Sequence, residues 1–576
     1  MRKLLIRTTI LFLFCSTLLY ADTFTVTGVV VDSITKEPIE GARLHIKEDG
    51  SSASSDKKGV FTLYTSRTPA TLIAETGGYK AFQKQLALPC DRLTVEMELS
   101  IRYTLGKVSV KEARRIEGSK QKIKVEQINK ATTQLFSDSL KVVQTLPGVV
   151  TGDDFSSLMY VRGGEFYEVV SFLDNVHILT PYMWGGNESI FNPLFIDRID
   201  FYSGGFPVKY FQALSGVVDV KNIEGDFQKR SGSLEASPTT VEIFMQGPMT
   251  KDKSSYMIGA RRTYYDLFMN LAYGDKYKGI VFPFFYDTQA KLTWKLNEKD
   301  KLYANLIASY EGMDFDSKAT QDENEDRKND WFTFFYSDVR VLPSLNWERV
   351  ENDNLSMGLT LSGKYQEGID KFNNKDNNHN GTQRQVDGFL KSRITYITGR
   401  HTIEQGIYVF RTWIYADSRL NFRTLMPDGT YYPDQRIDTY DWTRLMASGT
   451  YLQDDIALYA DKLFLNVGGL FEYFDYTNDN TFSPRGGLKY MLTENTTLKF
   501  NTGLYTQFPV NGGSGAPPIF DNKNVKSEKV IHYVAGIEQE LPQHFFLRLE
   551  AYRKDYYDRI VQDPNPALKY TNNGKR

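Results

Sequence analysis

The sequence predicts a mostly β protein in three parts: an N-terminal β-sandwich, a small α/β unit, and a transmembrane antiparallel β-barrel expected to be incomplete at its C-terminus. Three observations predict it. The chain opens with an export signal. It is aromatic-rich (14% Phe, Trp and Tyr) yet polar on average, with a mean hydropathy of −0.42. After the signal no apolar run reaches the roughly eighteen residues of a membrane helix, while apolar–polar alternation recurs many times. In a membrane barrel only every second residue of a strand meets lipid, and aromatics girdle the interfaces, so these properties belong together.

Residues 1–21 carry the signal: "MRKLLIR" is basic, "TILFLFCSTLLY" is apolar, and Ala21 ends it. The stretch is too short and wrongly flanked for a membrane span. Leu19 stands where a small residue is usual before cleavage, and Cys15 lacks the small residues that precede a lipidated cysteine. Cleavage leaves Cys90 as the single thiol, so no internal disulfide can brace the exported chain. Lys plus Arg number 69 and Asp plus Glu 71, a balance with no field to attract nucleic acid.

Residues 22–100 read as a compact β-domain. "FTVTGVVVD" is a strand, "SITKEPIEGA" a turn rich in Pro and Gly, "RLHIKE" a strand, and "DKKGVFTLYT" another after a Gly-marked turn. The pattern resembles the carboxypeptidase regulatory-like domain, a transthyretin-type sandwich that accompanies many exported proteins without implying peptidase activity. Two strings, "HIKE" (45–48) and "HTIE" (401–404), match a zinc-ligand pair. Residues three apart in a strand point to opposite faces, so neither pair grips one metal. The six histidines form no HExxH, and no nucleophile elbow or phosphate loop occurs. The reading is therefore not an enzyme, with no cofactor, no catalytic residue and no metal site.

Residues 101–225 hold "YTLGKVSVKEARR" (103–115), then "TQLFSDSLKVVQTLPGVV" (133–150), a short amphipathic helix ending at Pro147-Gly148. "SLMYVRGGEFYEVVSFLDNVHI" and "NPLFIDRIDFYSGGFPVKYFQALSGVVDVKN" follow. This order resembles the plug domain of TonB-dependent outer-membrane receptors. The family's landmarks read here as Leu146-Pro147-Gly148-Val149, the Arg162-Gly163 turn with Gly164, the Asp174-Asn175 turn, Arg198 within "IDRID", Gly204-Gly205, and Gly216 in the closing "SGVV" strand. Asn175 replaces the usual Gly, and Asn tolerates the positive φ of such a turn.

Residues 226–576 show the barrel pattern. "LSMGLTLSGKY" sets Leu355, Met357, Leu359, Leu361 and Tyr365 against Ser356, Thr360, Ser362 and Lys364, and "LYANLIASY" groups Leu302, Ala304, Leu306, Ala308 and Tyr310. "TLKFNTGLYTQF" and "FFLRLEAYRKDYY" alternate in the same way. Short turns at 297–300, 351–354, 493–495 and 542–543 mostly alternate with long polar stretches at 311–330, 366–385, 415–440 and 509–528. Sorting of connections by length separates the periplasmic from the extracellular end of an outer-membrane barrel, and a soluble sandwich has no reason for it. About fourteen strands follow residue 230. "QGPMTKDKSSYMIGARRTYYDLF" (246–268), "FSPRGGLKYML" (482–492) and "NVKSEKVIHYVAGIEQEL" (524–541) extend the resemblance. The family closes about twenty-two strands around its plug, so the chain is expected to be a fragment.

The resemblance implies energy-coupled import across the cell outer membrane, with the N-terminal domain in the periplasm. The partners implied are TonB and its inner-membrane energising complex, outer-membrane lipid, the outer-membrane barrel assembly machinery, and a small extracellular ligand: an iron chelate, a cofactor, or an oligosaccharide or peptide. TonB pairs by strand addition with a short segment called the TonB box. Lys107, Val108, Ser109, Val110, Lys111, Glu112 and Ala113 resemble it. The alternative is a non-transporting outer-membrane binding or assembly protein that keeps the plug–barrel fold. In "TPYMWGG" (180–186), Tyr182, Met183 and Trp184 are expected at the outer apex of the plug, either as ligand contacts or packed against the barrel wall. Arg261 and Arg262 are expected to pair with Asp197 or Asp200. Asp376, Asn378, Asn380, Gly381 and Asp387 stand at calcium-loop spacing, but an unliganded polar loop is the favoured reading because position twelve is not Glu. "DENEDRKND" (322–330) reads as a solvated charge run.

Overall fold

A computed structural model describes residues 23–97, 118–124, 138–264, 266–267, 271, 280–317, 332–374, 378–421, 440–459, 462–509, 523–541, 545–562 and 570–574, with a few short internal breaks. The signal at 1–21, the TonB-box candidate Lys107–Ala113 and the charge run at 322–330 lie outside the described residues. The chain forms two compact units, 1–113 and 114–576.

The first unit is a two-sheet sandwich. Phe24–Asp32 lies between Val60–Thr65, antiparallel to it, and Cys90–Met97, parallel to it. The second sheet runs Ser52–Ser54, Arg43–Ile46, Ala70–Glu75, Phe82–Leu86. Alternation decides the facing. Val26, Val30, Phe61 and Leu63 from one sheet and Leu44, Ile46, Leu72 and Ala74 from the other close one apolar core, while the residues between them stay wet.

In the second unit a five-stranded sheet is ordered Val176–Ile178, Val169–Leu173, Gly216–Asn222, Ile196–Tyr202, Lys120–Lys124. Its two central pairings differ: Val169–Leu173 runs parallel to Gly216–Asn222, which runs antiparallel to Ile196–Tyr202. Strands buried on both faces read as near-continuous apolar runs, and every residue of "VVSFL" is buried here. The helix expected within 133–150 is one short turn of chain, Leu140–Gln144. Thr145 donates its hydroxyl back to the Val142 carbonyl at 2.7 Å, and Gly148 turns at φ +84°, so the helix cannot run to the proline.

Around this plug lies, among the described residues, a fifteen-stranded antiparallel sheet from Ser231–Ala236 to Phe545–Tyr557, each strand paired with its neighbour in sequence. That is one strand more than alternation suggested. The plug meets the sheet from Phe244, which packs edge-on against Phe195, to Glu550, which pairs with Arg162, so the strands curl around it. The pleat is inverted relative to a soluble protein. Leu345, Leu361, Leu390, Ile407, Val467 and Phe500 are exposed, and Lys291, Asp338, Lys364, Asp387, Glu404 and Glu472 are buried. Apolar outside and polar inside suits lipid around a filled lumen. Among the described residues no helix is long and apolar enough to cross a membrane.

The connections correct two expectations. The stretch 366–385 is not a long loop, because Leu355–Asn374 and Asn378–Thr398 pair along most of their length. A strand of 21 residues reaches about 69 Å at ~3.3 Å per residue. A tilted crossing of the ~30 Å core uses only about 9–11 residues, so these strands project well beyond the lipid. The residues at calcium-loop spacing, of which Asp376 lies outside the described residues, fall on this hairpin and not on the unliganded loop favoured for them. Asn378 and Asp387 lie nine residues apart on one strand and hence on opposite faces. Asp387 is engaged by Lys364 at 3.2 Å and accepts from the Thr412 hydroxyl.

Candidate functional site

The plug is fastened to the sheet by polar contacts whose donors come mostly from the wall. Arg340 donates to the Thr180 and Tyr182 carbonyls at 3.1 and 3.0 Å, and Arg485 to those of Pro207 and Tyr210, both at 2.8 Å. Gln289 donates to the Ile190 carbonyl at 2.5 Å. Ion pairs join Arg162 to Glu550, Lys291 to Asp174 at 2.9 Å, and Arg559 to Glu168 at 2.8 Å. Burial raises the Glu168 carboxyl pKa, against the pull of the Tyr556 hydroxyl and of Arg559.

Arg261 forms a further attachment, and its partners differ from those expected. It is 1% exposed, bonds Asp287 through Nε at 2.9 Å and Nη2 at 2.6 Å, and donates to the Ser189 carbonyl at 2.9 Å. Glu188 stands 3.7 Å away, at ion-pair distance. Arg262, one residue on and so on the opposite face, pairs with Asp266 at 2.8 Å. Asp197 and Asp200 pair with Arg198 instead, at 3.2 and 3.5 Å. The expected pairing fails because the "IDRID" carboxylates stand beside their own arginine and, for Asp200, beside Lys120 of the adjoining strand at 3.5 Å.

The other sequence-picked plug residues sit as follows. Arg162 has φ +49° before Gly163 at φ +76°, and its guanidinium also donates to Ser119 at 3.1 Å and lies 4.7 Å over the Tyr552 ring. Asp174 has φ +46°, so Lys291 and the Asn222 amide both reach its carboxylate. Gly216 opens its strand where a Cβ would come within 3.1 Å of the Tyr202 carbonyl oxygen. In "TPYMWGG", Tyr182 and Met183 pair with Ser189 and Glu188, and Trp184 opens a 3-10 turn ended by Gly185 and Gly186 at positive φ. Met183 is buried in the plug core and Tyr182 packs against it. Both described side chains thus serve packing.

Between plug and wall, among the described residues, lie an inner and an outer chamber. The inner one is polar, bordered by Lys209, Asp219, Asn346, Lys391, Arg393 and Glu404. The outer one is apolar, bordered by Phe410, Leu445, Ala447, Phe474 and Phe508 of the wall and by His177 and Phe211 of the plug. Sequence reasoning missed the outer chamber. The available signal was His177, a lone polar residue between Val176 and Ile178 in an otherwise apolar run.

An apolar-faced sheet around a polar-fastened plug defines a plugged outer-membrane barrel. The comparisons name the relatives of two of its parts. Residues 308–576 match the family model "TonB dependent receptor-like, beta-barrel", and residues 26–110 match "CarboxypepD_reg-like domain". Residues 308–576 thus carry a TonB-dependent receptor-like barrel and residues 26–110 a CarboxypepD_reg-like domain. The fold is similar to the siderophore receptor PirA from Acinetobacter baumannii, with 18% identity and a TM-score of 0.54, covering 77% of this chain and 71% of that one. It is similar to the ferric yersiniabactin uptake receptor FyuA from Yersinia pestis, with 14% identity and a TM-score of 0.58 over 80% and 74% of the two chains. The alcaligin outer-membrane receptor FauA from Bordetella pertussis aligns with 14% identity and a TM-score of 0.54 over 80% and 75%. No curated protein matches the chain.

Proposed function

We propose that this protein binds a scarce extracellular ligand at the outer face of its plug and admits it to the periplasm in a step powered through TonB. One observation carries the reading: a folded domain fills the barrel lumen and is tied to the wall through separable polar and ionic contacts rather than a continuous apolar seam alone. Such contacts can be exchanged for water when a force is applied to one end of the plug. A static binding protein gains nothing from a lumen that is filled but detachable.

In this reading Lys107–Ala113 is the TonB-docking strand, with Val108 and Val110 alternating against Lys107, Ser109 and Lys111 as an edge-pairing segment requires. Siderophore receptors stand among the structural relatives, which supports keeping an iron chelate among the candidate ligands beside a cofactor and an oligosaccharide or peptide. The test is Val110→Pro in the native gene, which removes a ladder donor and fixes φ. A strain carrying it is grown beside wild type and a deletion on a panel of iron chelates, cofactors and glycans. The variant should behave as the deletion on the substrate that wild type uses, while still binding it at the cell surface. Uptake equal to wild type would overturn the docking assignment.

A further inference from the structure

We propose that the outward face of the wall holds a site for one phosphorylated glycolipid of the surrounding membrane. Arg411 and Arg444 take its phosphate, and a side-chain-free trough at Gly363 and Gly388 takes one of its acyl chains. The site lies on the lipid side of the sheet, so it stands apart from the importer reading and from any ligand of the lumen.

The strands Leu355–Asn374, Asn378–Thr398, His401–Asn421 and Tyr440–Tyr459 are consecutive in the sheet. Directly paired residues of neighbouring strands share a face. One row of pairs runs Tyr365, Val386, Trp413, Arg444, and the row beneath it runs Gly363, Gly388, Arg411, Met446. Both rows point outward, because Tyr365, Val386 and Arg444 are exposed while Lys364, Asp387, Thr412 and Leu445 between them are buried. Tyr365 stands ten residues beyond Leu355, where its strand leaves a short turn. At ~3.3 Å per residue and a tilt of about 40°, that is about 25 Å along the membrane normal, the height of a barrel's apolar band. Leu361, Leu390, Ile407 and Leu452 are exposed within the band. The two rows therefore lie at its outer border, level with lipid headgroups and away from the short periplasmic turns.

An arginine at that border is costly unless an anion meets it. Arg384, one row higher, has its anion: its Nε donates to Glu367 at 2.7 Å, and the Tyr365 hydroxyl donates to the same carboxylate at 2.8 Å. Arg411 is different. Its Nε is buried without a hydrogen-bond partner among the described residues, and its guanidinium lies 4.9 Å over the Trp413 ring. Arg444 is exposed on the next strand, diagonal to Arg411. Diagonal neighbours about 7–8 Å apart are within reach of long side chains. Two guanidiniums so placed suit a phosphate, which Arg engages in a bidentate fork.

Beside Arg411 the wall loses its side chains. Gly363 and Gly388 pair directly. A Cβ on Gly388 would meet nothing within 4 Å, and one on Gly363 would meet only Pro343 at 3.7 Å and the Asp387 carbonyl oxygen at 3.6 Å. Tyr365 and Val386 stand above this gap and Leu361 and Leu390 below it, all exposed. Glycine weakens a strand interior and marks a place where another group comes close to the backbone. On the lipid face that group is an acyl chain. Above the arginines, the Tyr415 and Trp442 rings stand 5.7 Å apart. Flat rings with a polar edge at headgroup height suit the apolar face of a sugar, which favours a glycolipid over a lipid with a small headgroup.

The full chain is reconstituted in phosphatidylcholine nanodiscs doped with diphosphoryl lipid A, or with phosphatidylglycerol at equal charge. Native mass spectrometry counts the lipid that stays with the protein, and heat-modifiability shows that each variant is still a barrel. One lipid A per chain, held at least tenfold above phosphatidylglycerol, is the expected result. Arg411→Gln with Arg444→Gln should cut retention at least tenfold. Gly388→Leu, which fills the trough and adds only apolar surface to the lipid face, should cut it with both charges in place. Arg553→Gln, at an exposed arginine already paired with Asp555 at 2.8 Å, should leave it unchanged. Undiminished retention in the double variant or in Gly388→Leu, an equal loss in Arg553→Gln, phosphatidylglycerol held as firmly as lipid A, or release of lipid A by inorganic phosphate would each overturn the proposal.

Discussion

Arg261→Met tests whether the plug is held by compensated buried charge. The methionine keeps most of the side-chain volume and removes the cation. Asp287, 2% exposed, then loses two hydrogen bonds, Glu188, fully buried, loses its nearest cation, and the Ser189 carbonyl loses a donor. Removing one partner of a buried pair costs about 3–5 kcal/mol, because the remaining charge stays desolvated and unpaired. Replacing both partners is far cheaper, since the desolvation disappears with the charges. Arg261→Met with Asp287→Leu should accordingly regain most of the loss. Thermal unfolding in detergent gives the stability change, and limited proteolysis of the plug reports its detachment from a barrel that remains heat-modifiable. A single variant within about 1 kcal/mol of wild type, or a double variant as unstable as the single, would show that the charges at this contact are solvated.

Three further outcomes follow from the structure. Burial, then the Asp138 charge, raises the Glu188 carboxyl pKa to about 8, with Arg261 opposing. A carboxyl raised in the folded state contributes stability below its unfolded pKa that is lost as pH rises through the folded one. Glu188→Gln should therefore flatten the loss of plug stability between the ordinary glutamate range and pH 8, and an unchanged pH profile would count against it. Gly205 has φ +64°, and a Cβ there would lie 2.8 Å from that of Asn501. Gly205→Ala should cost about 1–3 kcal/mol from backbone strain and quicken proteolysis of the plug, which digestion rates would contradict if equal. In the N-terminal unit, Leu72 is wholly buried. Leu72→Ala should lower that unit's melting by about 2–5 kcal/mol with barrel insertion intact, and a matching loss in barrel heat-modifiability would refute the independence of the two units.

Period-two alternation in residues such as Leu355 to Tyr365 settled strand identity and facing, because a pleated strand leaves no choice of side once one residue is placed. Ser356, Thr360 and Lys364 are buried while Leu359, Leu361 and Tyr365 are exposed, as their spacing requires. The Asp174-Asn175 and Gly204-Gly205 turns were equally local, since positive φ is demanded by the chain itself. The strands at 366–374 and 378–385 were hidden because polar residues on both faces look like a loop until each strand has a neighbour to pair with.

Partners distant in sequence were decided only by the tertiary structure. Arg261 and Asp287 meet through strand pairing, Glu188 reaches them from the plug, and nothing local distinguishes these carboxylates from Asp197 or Asp200. Met183 and Tyr182 carry the residue types of a ligand contact, yet the plug core takes the first and packs against the second. The outer chamber gathers His177, Phe211, Phe410, Ala447, Phe474 and Phe508 from segments separated by up to several hundred residues. Pleating is a property of each strand alone, whereas a cavity is what packing leaves between strands, and it exists only after the plug and the wall have met.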